Sequence, residues 1–128
     1  QLVNAYALTG DYAKARVALS NMKRAEGSMN MFTEGLEAWI FALAGETEEA
    51  RRHLGRLEEY YSKGVDTGEM ISLVHHALEE EEKALDWLET VVEERGYLNT
   101  FFIFQDAWKD LHHHPRYQAI LKRLNLLE

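Results

Sequence analysis

The sequence contains no cysteine. That excludes a disulfide framework, a thiolate metal site and a cysteine nucleophile. It has a single proline, Pro115, so long uninterrupted helices are permitted over most of the chain. No apolar run approaches the roughly 20 residues of a membrane span. Basic residues are in deficit: 14 Lys and Arg stand against 22 Asp and Glu, a formal net charge of −8. General nucleic-acid binding needs cations to neutralise phosphates, so this balance argues against it. There is no opening Met. The first residues, Gln1-Leu2-Val3-Asn4-Ala5-Tyr6, already lie inside a helical pattern. The expectation is a C-terminal piece of a longer cytoplasmic protein, with any targeting signal outside it.

What is present suits a soluble fold. The chain has 128 residues, 46% hydrophobic and 28% charged, enough for one domain with a continuous core. Its organising feature is a repeat. The stretch from Gly10 to Met22 reads as a turn followed by an amphipathic helix, and its skeleton recurs twice. Ala15, Ala50 and Ala84 hold one slot. Leu19, Leu54 and Leu88 hold a second, and Met22, Leu57 and Val91 a third. The spacing is about 34 residues, the period of a helix–turn–helix solenoid.

Taken in order, residues 1–9 read as the tail of a helix ended by Gly10, a residue suited to a left-handed cap. Asp11 is the expected N-cap of a helix over 12–25. Gly27-Ser28 breaks the pattern. A helix capped by Ser28 or Asn30 runs to about Ala44, with an apolar surface wide enough for packing on two sides. Gly45 ends it, and the partner helix covers 47–62. The third pair spans 66–78 and 81–95, closed by Gly96. Asp66 or Thr67 is the N-cap expected for the first of these helices, and Asp66 with Glu69 has the spacing of a capping box. Glu79 stands in the glycine slot, which predicts a turn of different shape. Residues 97–111, including Phe101, Phe102, Ile103, Phe104 and Trp108, predict a short helix or turn across the exposed end of the last pair. Pro115 starts a final helix over 115–124, with Asn125 as its left-handed cap and Leu126 reaching back to Leu121.

These features resemble the tetratricopeptide repeat family. Ala15, Ala50 and Ala84 match its closest helix approach, Gly10 and Gly45 its internal turn, and Ala38 its small first-helix residue. Glu79, Ser72 and His75 depart from the pattern, and no repeat carries the terminal proline. The resemblance implies an all-α, right-handed α-α superhelix with repeats at 1–27, 28–63 and 64–96 and a capping tail at 97–128. The stretches Ala84–Glu89, Trp108–Leu111 and His114–Leu121 resemble the end of such arrays in bacterial multidomain signalling proteins. There the array follows a DNA-binding, cyclase or kinase domain.

In that family the first helix of each pair lines a concave groove that binds a peptide or protein. The corresponding residues are Asn4, Leu8, Phe32, Trp39, Leu43, Glu69, Leu73 and His76, with Ala7, Gly35 and Asp66 beside them. Trp39 is either an aromatic anchor for a partner or a packing residue between repeats. Only Asn4 matches a carboxylate clamp, so the acidic groove favours a basic or neutral amphipathic peptide. His112-His113-His114 offers imidazoles, but consecutive side chains diverge and no metal is expected. The pairs His75/Glu79 and His76/Glu80 lack the second histidine of a zinc protease helix. The run Glu79–Glu82 reads as a solvated face. No cofactor and no catalysis are expected. The leading expectation is a protein-interaction module. The alternative is a self-association module, in which the N-terminal helix face and the aromatic tail pair two copies.

Overall fold

The computed structural model describes residues 2–26, 31–98 and 105–124, with the side chains of Leu2, Asn4, 23–26, Met31, Phe32, Gln105 and Asp106 outside the description. Every regular element among the described residues is helical. These are α1 (Leu2–Leu8), α2 (Tyr12–Glu26), α3 (Met31–Leu43), α4 (Thr47–Ser62), α5 (Gly68–Ala77), α6 (Glu81–Arg95), a 3-10 segment (Gln105–Leu111) and α7 (Pro115–Arg123). None is long and apolar enough to cross a membrane. The expected caps at Ser28, Asn30 and Asn125, the contact of Leu126 and the run Phe101–Phe104 lie outside the described residues.

The helices pair as hairpins: α1 with α2, α3 with α4, α5 with α6. The first helices touch in order, α1 to α3 to α5, and each second helix also meets the next first helix. The repeat slots explain the pairing. Ala15, Ala50 and Ala84 are fully buried, and so are Ala38 and Ser72 on the helices facing them. Small side chains at a crossing let two helix axes approach closely. Ser72 replaces a methyl at its slot without leaving a stranded hydroxyl, because its Oγ donates to the Ala84 carbonyl at 2.7 Å. Leu19, Leu54 and Leu88 are buried above the crossings.

The three turns within hairpins share one hydrogen-bond pattern. The amides of Gly10 and Asp11 donate to Ala7 and Tyr6, those of Gly45 and Glu46 to Ala42 and Phe41, and those of Glu79 and Glu80 to His76 and His75. Gly10 and Gly45 take the required positive φ, and Glu79 takes it too, at 64°. The expectation of a differently shaped third turn is therefore corrected. The hydrogen bonds and packing on either side hold a carboxylate residue in a conformation that costs it about 1 kcal/mol. Glu79→Gly is expected to raise stability by up to about 1 kcal/mol, visible as a higher melting temperature. A lower one would contradict this reading.

One further correction concerns α5. Its N-cap is Thr67, one of the two residues expected there, with no side-chain capping bond. The Thr67 hydroxyl instead donates to the Leu57 carbonyl at 2.8 Å. The capping box of Asp66 with Glu69 does not form, because both carboxylates pair with Arg95 on α6. The helix is also buried on nearly every side from Gly68 to His75, since α3, α4 and α6 all pack on it. The contact with α3 is close. A Cβ built on Gly35 would lie 2.9 Å from Met70 Cβ.

The C-terminal segment closes hairpin 3. Leu98, Trp108, Leu111, Tyr117 and Ile120 are buried, and α7 packs on α6. Pro115 opens α7, and His114 caps it by accepting the Arg116 amide at 3.1 Å. Arg116 then reaches Glu82 at 2.8 Å and Asp86 and Glu89 at 2.6 Å along the outer face of α6. Its hydrogen bonds to Glu89 and Asp86 hold the guanidinium proton well above its ordinary range. Burial pushes the Tyr117 phenol up to about 12.

Candidate functional site

The residues expected in the groove separate into three groups. Trp39 is 1% exposed and Leu73 is fully buried, so both are core side chains here. Glu69 is buried and paired with Arg95. His76 lies under the chain's own C-terminal segment: its Nε2 is 2.8 Å from Asp110, and its ring is 4.8 Å from that of Trp108. Leu8 is 36% exposed, and Leu43 is partly exposed. Asn4 lies on α1 and Phe32 on α3, with side chains outside the description.

Leu8 and Leu43 are related by the repeat, and the next residue in that slot is Ala77, also partly exposed. All three lie at the C-terminal ends of α1, α3 and α5, the helices that touch in order. The result is an apolar line along successive hairpins that internal packing leaves partly open.

A second arrangement was not legible in the sequence. Neighbouring hairpins are clasped by arginine from a second helix onto the turn of the next hairpin. Arg16 of α2 pairs with Glu46, and its guanidinium lies 4.8 Å from the centre of the Phe41 ring. One repeat later, Arg51 of α4 reaches Glu80 at 3.1 Å, and Glu80 also meets His75 Nδ1 at 2.9 Å. Phe41 and His75 occupy one slot, and Glu46 and Glu80 another. Burial opposes the charge on Glu80 most strongly. The hydrogen bonds from Arg51 and His75, with the charges of Arg51 and Lys83, outweigh it and hold the carboxyl at about 2, down from 4.5.

Because the folded value lies below the unfolded one, Glu80 stabilises the fold fully above pH 4.5 and loses that effect as the pH falls through 2. Glu80→Gln is expected to cost about 1–2 kcal/mol at neutral pH, discounted for its partial exposure. Denaturant unfolding of both forms at stepped pH should show the difference shrinking between 4.5 and 2. A difference constant over that window would contradict the ion-pair origin.

Hairpin 2 also holds buried polar groups that no pattern in the sequence places inside. Glu34 is buried with Arg56 Nε 2.9 Å from its Oε1, in an orientation that forms no hydrogen bond. His53 Nε2 lies 3.3 Å from Glu37, its ring stacks on Phe41, and its Nδ1 has no hydrogen-bond partner. A carboxylate–imidazole pair can move protons, but His53 is buried between its neighbours. Glu37 reaches only a small cavity, about 170 Å3, shared with Arg16, Ser20 and Phe41.

Among the described residues, Glu81, Glu82 and His114 bring potential metal-ligand atoms within 4.8 Å of one another. The two glutamates are exposed and His114 is half-buried, and Arg116 already pairs with Glu82. Comparison with family models, with curated proteins and with solved structures finds no match for this chain.

Proposed function

We propose that the chain is a protein-interaction module of the tetratricopeptide kind. Its hairpins advance as a right-handed superhelix, α1, α3 and α5 line the concave side, and a peptide or protein partner binds along them without chemistry by the module itself. Binding would be relayed to an attached effector domain. The observation that supports this reading most is the apolar line Leu8–Leu43–Ala77, repeated at hairpin spacing and left partly exposed. Exposed apolar side chains in a continuous row mark interaction surfaces more often than scattered ones do. Trp39 is buried in the core and is not part of that line.

The test is a displayed library of random 16-residue peptides panned on the full chain and on Leu43→Glu. The chain should enrich neutral or basic amphipathic peptides, and Leu43→Glu should lose at least tenfold in their recovery while keeping its helical circular dichroism. Equal recovery by a folded Leu43→Glu would count against the groove.

A further inference from the structure

Hairpins 2 and 3 each receive the second helix of the hairpin before them, and the receiving positions are filled in the same way. In one slot Ile40 and Val74 are fully buried. In the next, Phe41 lies under Arg16, and His75 bonds the carboxylate that Arg51 holds. In a third, Glu46 and Glu80 take those arginines. The equivalent residues of hairpin 1 are Ala5, Tyr6 and Asp11. Ala5 is exposed and Tyr6 half-buried. Lys14 sits 5.8 Å from the Tyr6 ring centre and 3.6 Å from Asp11. That lysine does not close the site. In hairpin 3 its equivalent, Lys83, lies 3.6 Å from Glu80, which holds Arg51 at the same time.

The match extends along the face. Tyr61 of α4 packs edge-on against Trp87, 4.8 Å between ring centres, and borders Asp86 and Thr90. The corresponding positions of hairpin 1 are Val17, Ala18 and Asn21. They line a mostly apolar groove of about 580 Å3 with Tyr6 and Met22. Val17 is 61% exposed.

We propose that this face of hairpin 1 is a docking site for an amphipathic helix of a partner. The occupant carries an arginine for Asp11 and Tyr6, a leucine three residues on, and an aromatic ring ten residues on for the Val17–Asn21 groove. The chemistry is that of Arg51, Leu54 and Tyr61, with Arg16 and Leu19 repeating the first two parts. Charge complementarity fixes the register: an acidic residue at the turn has taken an arginine at both places where a hairpin precedes it. This site is separate from the Leu8–Leu43–Ala77 line and stands or falls independently of it.

The test joins a copy of residues 31–69 directly to Gln1, which sets the copied Arg51 as far from Asp11 as Arg51 is from Glu80. Tethering supplies a high effective concentration. Ala5→Cys provides the sole thiol in the chain. The joined hairpin should add helical ellipticity in proportion to its length and slow thiol labelling at position 5 at least tenfold. Arg51→Glu in the copy should restore fast labelling, and adding Asp11→Lys should slow it again. Labelling as fast as in the unjoined chain, or an added hairpin that gains no helicity, would overturn the proposal. So would slow labelling of the unjoined chain with a dimeric mass by light scattering, since a second copy would then cover the face.

Discussion

Trp39→Ala is expected to lower the free energy of unfolding by about 3–5 kcal/mol, the range for removing a buried aromatic side chain. The indole is 1% exposed and packs within the cluster that includes Leu36, Ile40 and Leu73. Truncation leaves a void that helices already in close contact cannot fill, because α3 approaches α5 without clearance at Gly35. A small domain is stable by about 5–15 kcal/mol, so the variant should sit near the edge of folding. Guanidinium unfolding followed by circular dichroism measures it directly. A loss under about 1 kcal/mol would mean that the ring is not a core element. The consequence for function is practical. Loss of partner binding in Trp39→Ala would report unfolding as readily as a missing contact, so Leu43→Glu is the cleaner probe of the groove.

Trp108→Ala is expected to cost a similar amount, about 3–5 kcal/mol. Its ring is 1% exposed, lies 4.8 Å from His76 and 6.4 Å from Tyr117, and ties the 3-10 segment to both α5 and α7. With it gone, α7 loses its tie to α5 and is held by its packing on α6 and by the Arg116 ion pairs. Those are largely exposed and contribute little on their own. The variant should therefore unfold at lower denaturant and show faster amide exchange in α7 first. Unchanged exchange in α7 would mean that the segment from Gln105 to Arg123 is held by something other than this ring.

The parts of the fold legible in the sequence were those fixed by periodicity. A 34-residue repeat assigns each position to a face without any knowledge of partners, so the buried alanines, the buried leucines and the turns at Gly10 and Gly45 followed directly. Asp11 bonds the Lys14 amide as its position suggested. Pro115 marked the start of α7 because its missing N–H is harmless only there. Periodicity says less where a helix is buried on two sides. It could not decide whether Trp39 faced a partner or the neighbouring hairpin, and it gave no hint that α5 would be enclosed almost completely.

Charged residues were the least legible. Arg16 with Glu46, Arg51 with Glu80 and Arg95 with Glu69 join positions 26–30 residues apart, and such choices depend on the angle between hairpins rather than on local spacing. Glutamate is rarely buried unless paired and histidine is intermediate, yet Glu34 and His53 are both buried. Asp66 and Glu69 had the spacing of a capping box, but an arginine from α6 competed for both carboxylates. Glu79 shows the same limit for backbone. Its side chain disfavours the left-handed turn by about as much as one good contact contributes, and tertiary packing decided the outcome.

The stacking of one hairpin on the next is the claim on which both proposed surfaces depend, and the contact of Gly35 with Met70 reports on it most directly. The chain has four methionines, so methyl-labelled methionine gives a simple spectrum. The structure predicts a strong nuclear Overhauser effect between the Met70 ε-methyl and the Gly35 α-protons, 35 residues apart in sequence. Its absence, with both resonances assigned, would show that hairpins 2 and 3 do not pack as described.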